Sequence, residues 1–332
     1  MDLKVSIIIV TYNSINHIEE CIKSILKQNF AYEILIVDNN SKDGTVEFIK
    51  KNFPFITIIE NKKNIGMGSG NNLGVKYAAG DFIVILNDDT IVESNWLRNL
   101  IRPLKNTSKI ITTPKILLYD GLKINTSGNI NHFTGLGFVR GLGKKRNAYS
   151  KYEYVSGLSG CCFALRKQDY LELNGFDEKL FMYAEDTELS WRALLKNFKI
   201  LYVPTSLVRH DYELKVTVKK LYYLERGRYF ILKKYLSLYN LIILLPSFII
   251  TEFLVFGYAM KFGWSGIKHK IKAIQDGLTI NVDKIDGNKK NLFKFLSMKI
   301  PIEQLSFYEI ERIVKKIANK MYELNYQVCL IK

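Results

Sequence analysis

Cysteine is scarce in this 332-residue chain, and Cys21, Cys161, Cys162 and Cys329 form no CxxC pair. That spacing supplies neither a disulfide framework nor a thiolate zinc site, and it points to a reducing compartment. There are only six prolines, and 48% of the residues are hydrophobic, which excludes a largely disordered chain. No segment reads GxxxxGK[ST], so a P-loop is excluded. The apolar run in MDLKVSIIIVTYN is too short for a signal peptide, and no small-residue cleavage site follows it. The first domain is therefore expected in the cytoplasm. No internal repeat is visible.

Acid is the charge in short supply. The net charge is +16, and it is uneven: residues 1–212 hold 27 Lys and Arg against 22 Asp and Glu, whereas 213–332 hold 21 against 10. A basic C-terminal third suits nucleic acid, an anionic membrane surface or a phosphorylated ligand. The excess adjoins an apolar stretch and no nucleic-acid-binding motif, so nucleic acid is not an expected partner.

What is present is an alternation. VSIIIV (5–10), EILIV (33–37), ITII (56–59) and FIVIL (82–86) read as short buried strands. Between them, Ile18, Cys21, Ile22, Ile25 and Leu26 repeat at helical spacing, SKDGT opens a second helix, and a Gly-rich segment opens a third. Such alternation predicts an α/β fold with a doubly wound, mainly parallel sheet. TGLGFVRGLGKKRN (134–147) is expected to be a mobile loop. A helix at 187–197, a strand at 199–203 and a last helix within 301–328 complete the reading.

Polar clusters follow the strands: TYN (11–13), DNNSKDGT (38–45), NKKNIG (61–66) and NDDT (87–90). Each alone is an ordinary turn. Four at the carboxyl ends of parallel strands argue for a polar ligand in the crevice there. GMGSGN (66–71) departs from GxGxxG and follows the third strand, so a nicotinamide or flavin cofactor is disfavoured. NDDT offers oxygen ligands of the kind Mg²⁺ takes together with substrate phosphates.

The series VSIIIVTYN, ILIVDNNSKDGT, GDFIVILNDDT, SGCCFALRK, GFDEKLFMYAEDTELSWR and VPTSLVRH resembles family 2 glycosyltransferases, most of all their rhamnosyltransferase-like branch. The resemblance runs in order over about residues 4–212 and more weakly over 215–280. It implies a GT-A fold and an inverting transfer of sugar from a nucleotide diphosphate sugar. The acceptor it implies is lipid-linked or a polysaccharide, at the cytoplasmic face of the membrane. By the same resemblance Thr11, Asn13 and Asp38 surround the base and ribose, and Asn64 helps to hold the nucleotide. Asn87 and Asp89 stand where the family has DxD, with Asp89 as the carboxylate for Mg²⁺ or Mn²⁺. Asn87 replaces the first acid, which leaves Asp88 as its substitute. His210 matches a metal-binding His, and imidazole shifts preference toward Mn²⁺.

In LFMYAEDTELSWR (180–192) three acids open a helix, a place where the macrodipole favours carboxylates in any case. The resemblance assigns Asp186 as general base and Glu185 as the neighbour that orients the acceptor. Glu188 reads instead as a helix-face acid pairing with Arg192. Beyond 214 the chain divides into basic, apolar, membrane-associated helices (215–300) and a C-terminal helix (301–332). Glu252 is the sole charge in 235–260, and Pro246 interrupts that stretch. A helical hairpin lying in the membrane surface fits better than a span, in which Glu252 would sit mid-bilayer. Two other functions compete. A sugar nucleotidyltransferase needs a Gly-rich basic loop after the first strand, which TYNS lacks, and an inactive membrane scaffold would not be expected to keep Asp89 and Asp186.

Overall fold

The computed structural model describes residues 4–212, 216–285, 287, 289–304 and 308–331, apart from the side chains of 328–331. The Cys329 side chain and the junction expected at 214–215 therefore lie outside what is described. The chain forms two compact units. One comprises Met1–Asn129, Val139–Ala193 and Phe198–Glu213, and the other Ile130–Phe138, Leu194–Asn197 and Leu214–Lys332.

The first unit opens with β1 (Val5–Thr11), α1 (Ile18–Leu26), β2 (Tyr32–Asp38), α2 (Thr45–Asn52), β3 (Thr57–Glu60), α3 (Met67–Tyr77) and β4 (Phe82–Asn87). These strands are parallel and lie in the order β3-β2-β1-β4. The chain winds outward from β1 to β3 and then crosses back to β4, so β1 and β4 flank a topological switch point. Strand periodicity divides β1 between two helix layers. Val5, Ile7 and Ile9 join the core cluster with Ile18, Cys21, Ile22 and Ile25 of α1. Ile8 and Val10 face α3, where a Cβ on Gly74 would fall 2.5 Å from Ile8 and one on Gly70 2.9 Å from Val10. The glycines of GMGSGN thus serve close helix–sheet approach. β3 is the edge strand, which is why its residues are half-exposed rather than buried.

Then follow β5 (Thr90–Val92), α4 (Trp96–Ile101), β6 (Ile110–Leu118), β7 (Ile124–Thr126), β8 (Asn129–Asn131), β9 (Gly137–Val139), β10 (Glu153–Val155), β11 (Cys162–Arg166), α5 (Lys167–Glu172), α6 (Glu185–Leu195) and β12 (Lys199–His210). The sheet continues β4-β11-β6-β12-β10, with β11 antiparallel to both neighbours and β12 parallel to β6. It is mostly parallel but mixed. Pro114 in β6 removes a ladder donor, and the β6–β12 register shifts at that point, between Val203 and Leu207. Within 134–147, expected to be a mobile loop, residues 140–146 are held by hydrogen bonds. Arg140 Nε donates to the Ser127 carbonyl at 2.9 Å, Arg146 Nη1 to Glu93 at 2.9 Å, and Lys115 Nζ to the carbonyls of Arg146 and Ala148 at 2.8 Å.

The second unit consists mainly of α7 (Val218–Tyr235), α8 (Leu238–Ile243), α9 (Leu245–Met260), α10 (Gly263–Thr279), α11 (Lys289–Phe295) and α12 (Glu309–Ile331). The stretch 235–260 breaks at Leu244, with Pro246 at the start of α9, where its missing N–H is harmless. Among the described residues no helix is long and apolar enough to cross a membrane. Glu252 has an internal use. With Glu225, it alternates around the cations Arg228 and Lys270, and the four charges join α7, α9 and α10. Lys270 Nζ reaches Glu252 Oε2 at 2.7 Å, and Arg228 Nη2 reaches Glu225 at 2.8 Å. Burial works against the Glu252 carboxylate, but Arg228 and Lys270 prevail and hold it down at about 2.

Glu252→Gln would leave two buried cations sharing one carboxylate, a loss of about 3 kcal/mol. A lower melting temperature is the expected outcome, and an unchanged melt would show that the square contributes nothing. The wild-type contribution should be complete above about pH 4.5 and fall away as pH drops toward 2.

Candidate active site

The loops after β1, β2 and β4 are laced together. Asn13, with φ 57°, donates its N–H to Ser41 Oγ at 2.9 Å and accepts from Lys42 N at 2.8 Å through Oδ1. Ser14 N donates to Thr45 Oγ1 at 3.0 Å, and Ser14 Oγ donates to Asp88 Oδ2. Thr11, at the end of β1, is buried and lies beside Asp38 in register. Asp38 Oδ2 accepts from the N–H groups of Asn40 and Ser41 at 2.9 and 3.0 Å. Its other oxygen, Oδ1, is buried without a partner in the protein. Asn87 Oδ1 is likewise buried and unpartnered. Buried polar atoms are rarely left so, and here they lie at the carboxyl ends of β2 and β4, on either side of β1. Asn64 Oδ1 accepts from Gly66 N at 2.9 Å, so it shapes the loop before α3.

The β5–β12 pairing sets His210 opposite Thr90, which brings the ring to NDDT. His210 Nε2 lies 3.1 Å from Asp89 Oδ1, an oxygen that takes no aligned hydrogen bond. On its other side Nδ1 lies 3.5 Å from Asn125 Oδ1, an arrangement that leaves Nε2 as the free lone pair when Nδ1 carries the proton. Among the described residues no three His, Cys, Asp or Glu side chains gather as a metal cage. One imidazole and one carboxylate nevertheless suit a cation that completes its shell with phosphates and water. Burial pushes Asp88 up to about 6, Ser14 and Thr11 oppose that through their hydroxyls, and Asp89 adds repulsion.

Asp186 is reached through a single dipeptide. Gly160 N donates to Asp186 Oδ2 at 3.2 Å, and the Cys161 carbonyl accepts from Asn87 N at 2.9 Å. Asn129 Nδ2 also donates to Asp186 Oδ2 at 3.2 Å, and Thr187 N to Oδ1 at 2.7 Å. A Cβ on Gly160 would fall 3.3 Å from that of Asp186. Tyr183 and Ala184, at φ 60° and 67°, turn the chain into α6, which starts at Glu185. That start is two residues earlier than the sequence suggests, so both acids lie on the helix. Phe181 caps the loop before α3: its carbonyl accepts from Met67 N at 3.3 Å and sits 2.3 Å from where a Gly66 Cβ would be.

Burial raises both carboxyls of the pair. Asp186 has its donors to hold a negative charge, whereas Glu185 Oε2 is buried without one and faces the Asp186 charge, reaching about 8. Burial beside Asp186 thus favours the proton on Glu185, while the donors around Asp186 favour its charged form. Glu188 takes no part, being buried and paired with Arg192 at 2.5 Å, as the helix spacing predicts. Sequence reasoning missed Asn129 and Gly160, which lie in the least periodic part of the chain.

Glu185 should leave a signature in stability against pH. A carboxyl raised in the fold keeps its proton after the unfolded chain has lost it, so stability falls from about pH 4.5 to about 8. Melting curves of Glu185→Gln should lack that part of the decline and exceed wild type at pH 8. Parallel curves would mean that Glu185 titrates normally.

Comparison with known proteins fits this geometry. The model described as glycosyl transferase family 2 matches residues 6–173, half of the chain. A second, described as the N-terminal domain of galactosyltransferase, matches residues 141–216. A low-salt glycan biosynthesis hexosyltransferase of Haloferax volcanii is 28% identical over 205 residues, 59% of this chain and 63% of that protein. A poly-beta-1,6-N-acetyl-D-glucosamine synthase of Staphylococcus aureus is 24% identical over 210 residues, 61% of this chain and 48% of that protein. The chain thus spans less than two thirds of the length of these curated relatives. Among solved structures, GalNAc-T7 with UDP, GalNAc and Mn²⁺ superposes with a TM-score of 0.61 at 18% identity, over 83% of this chain and 56% of that one. Staphylococcus aureus TarS in complex with UDP-GlcNAc gives 0.56 at 20% identity, over 98% and 92%. At those identities the likeness is one of fold. Since the matched half contains the strand-end clusters from Thr11 to Asp89, the chain belongs to glycosyl transferase family 2.

Proposed function

We propose that this protein transfers a sugar from a nucleotide diphosphate sugar to an acceptor hydroxyl, with inversion at the anomeric carbon. The observation that carries the reading is the Gly160–Cys161 link, which ties the Asp186 carboxyl to Asn87 and so to the unpartnered oxygens at the ends of β2 and β4. Asp38 Oδ1 is an acceptor for a ring N–H of the base, with Thr11, Asn13 and Asn64 shaping the walls and Asn87 and Asp88 bordering the diphosphate. Asp89 and His210 would hold Mg²⁺ or Mn²⁺. When bound, such an ion neutralises charge on the departing diphosphate.

Asp186 accepts the proton of the attacking hydroxyl as the new bond forms, an effect worth roughly 10²–10⁴-fold. Its desolvation strengthens it as a base, and its hydrogen bonds fix its direction. Protonated Glu185 offers the acceptor a hydrogen-bond donor where a second carboxylate would repel. The relatives named above include a hexosyltransferase and an N-acetylglucosamine polymer synthase, which favours a hexose or N-acetylhexosamine donor. None of them supports the rhamnosyl specificity that the motifs suggest. The acceptor is a lipid-linked or polysaccharide hydroxyl presented at the cytoplasmic face of the membrane, which suits the basic C-terminal third.

The test is thermal stability with UDP, GDP and dTDP, each with and without Mn²⁺. One nucleotide at about 100 times its dissociation constant should add roughly 2.7 kcal/mol, and only with metal. Asp89→Ala should lose that shift. Asp186→Asn should keep it while losing at least about a hundredfold in transfer. No shift with any nucleotide, or full turnover by Asp186→Asn, would overturn the reading.

A further inference from the structure

Helix α9 is inside out. Ser247 and Thr251 are fully buried; Thr251 Oγ1 lies 2.8 Å from Tyr322 OH, and Ser247 Oγ donates to Asn325 Oδ1 at 2.5 Å. Glu252 turns to Arg228 and Lys270. Its outward residues are Leu245, Ile249, Phe253 and Met260, 53–77% exposed. Leu238 and Ile242 of α8 extend the spacing backward. On α10, Trp264, Ile271 and Leu278 are exposed at seven-residue intervals, which keep them on one helix face. A soluble helix packs its apolar stripe inward. Polar residues inside and apolar residues outside mark an element whose outer neighbour is not water.

No described helix can cross a bilayer, so an apolar face covered by lipid must lie along it. Charge selects the lipid. Lys268 and Lys272 stand exposed beside Trp264 and Ile271, in a C-terminal segment with 21 cationic against 10 anionic residues. Against a second copy of the chain, a twofold contact would set this lysine-flanked face against itself. We propose that the outer face of α8–α10 docks in the plane of an anionic bilayer, with Ile249 and Phe253 in the acyl boundary and Lys268 and Lys272 at the headgroups. This rests on the membrane-surface acceptor proposed above and gives it a docking face.

The full chain is sedimented with vesicles of phosphatidylcholine, alone or mixed with phosphatidylglycerol. Wild type should partition to the mixed vesicles about tenfold more strongly. The double variant Ile249→Asp, Phe253→Asp should lose binding to both by about tenfold or more. Lys268→Gln, Lys272→Gln should lose only the preference for phosphatidylglycerol. Unchanged melting temperatures would show that these exposed changes leave the fold intact. Wild-type binding by the double variant, or no binding by wild type, would overturn the proposal. So would a dimer in light scattering that the double variant abolishes, since the face would then belong to a second copy. The nucleotide-induced melting shift is measured on the same samples: if it persists while vesicle binding fails, docking falls and the transferase reading stands.

Discussion

Two hydrogen bonds from one dipeptide hold the site in register. Gly160 gives its N–H to Asp186, and Cys161 takes the N–H of Asn87, so the Asp186 carboxyl and the strand-end cluster share one short piece of backbone. Cys162, the next residue, begins β11, which pairs antiparallel with β4 from Cys162 against Leu86 onward. The position of Asp186 therefore follows from sheet register, which is far stiffer than a loop. Because a one-residue slip in that pairing would reverse every side chain of β11, the buried Phe163 and Leu165 guard the placement of Asp186 as well as the core.

The parallel half of the fold was legible because its strands are continuous apolar runs, and each ends in Asn, Asp, Ser or Gly. Buried parallel strands must carry their polar function at their ends, so sequence order alone identified the clusters at Thr11, Asp38, Asn64 and Asn87. What could not be read was anything decided by distant partners. β11 lies antiparallel between β4 and β6, although its sequence reads like any other buried strand. Asn129 and Gly160 have no periodic context, and their importance appears only when Asp186 arrives from 57 and 26 residues away.

Glu252 illustrates the same limit from the other side. Counted within 235–260 it looks like a charge stranded in a hydrophobic span. Its partners Arg228 and Lys270 belong to other helices, and with Glu225 they make it one corner of an internal square of alternating sign. Buried ion pairs of this kind are weak sources of net stability but demanding about geometry. That demand fixes the rotation of α9 about its axis, and so fixes which of its apolar residues point outward.

The closeness of Gly160 to Asp186 carries one more implication. With a Cβ there only 3.3 Å from that of Asp186, any side chain at position 160 requires Asp186 to give way by a few tenths of an ångström. A side chain is usually aimed by the atoms that touch it, but this one is aimed partly by an empty volume. The site thus contains a mould as well as a set of donors. A methyl group added to the mould would shift the Asp186 carboxyl without removing a single polar residue from the sequence.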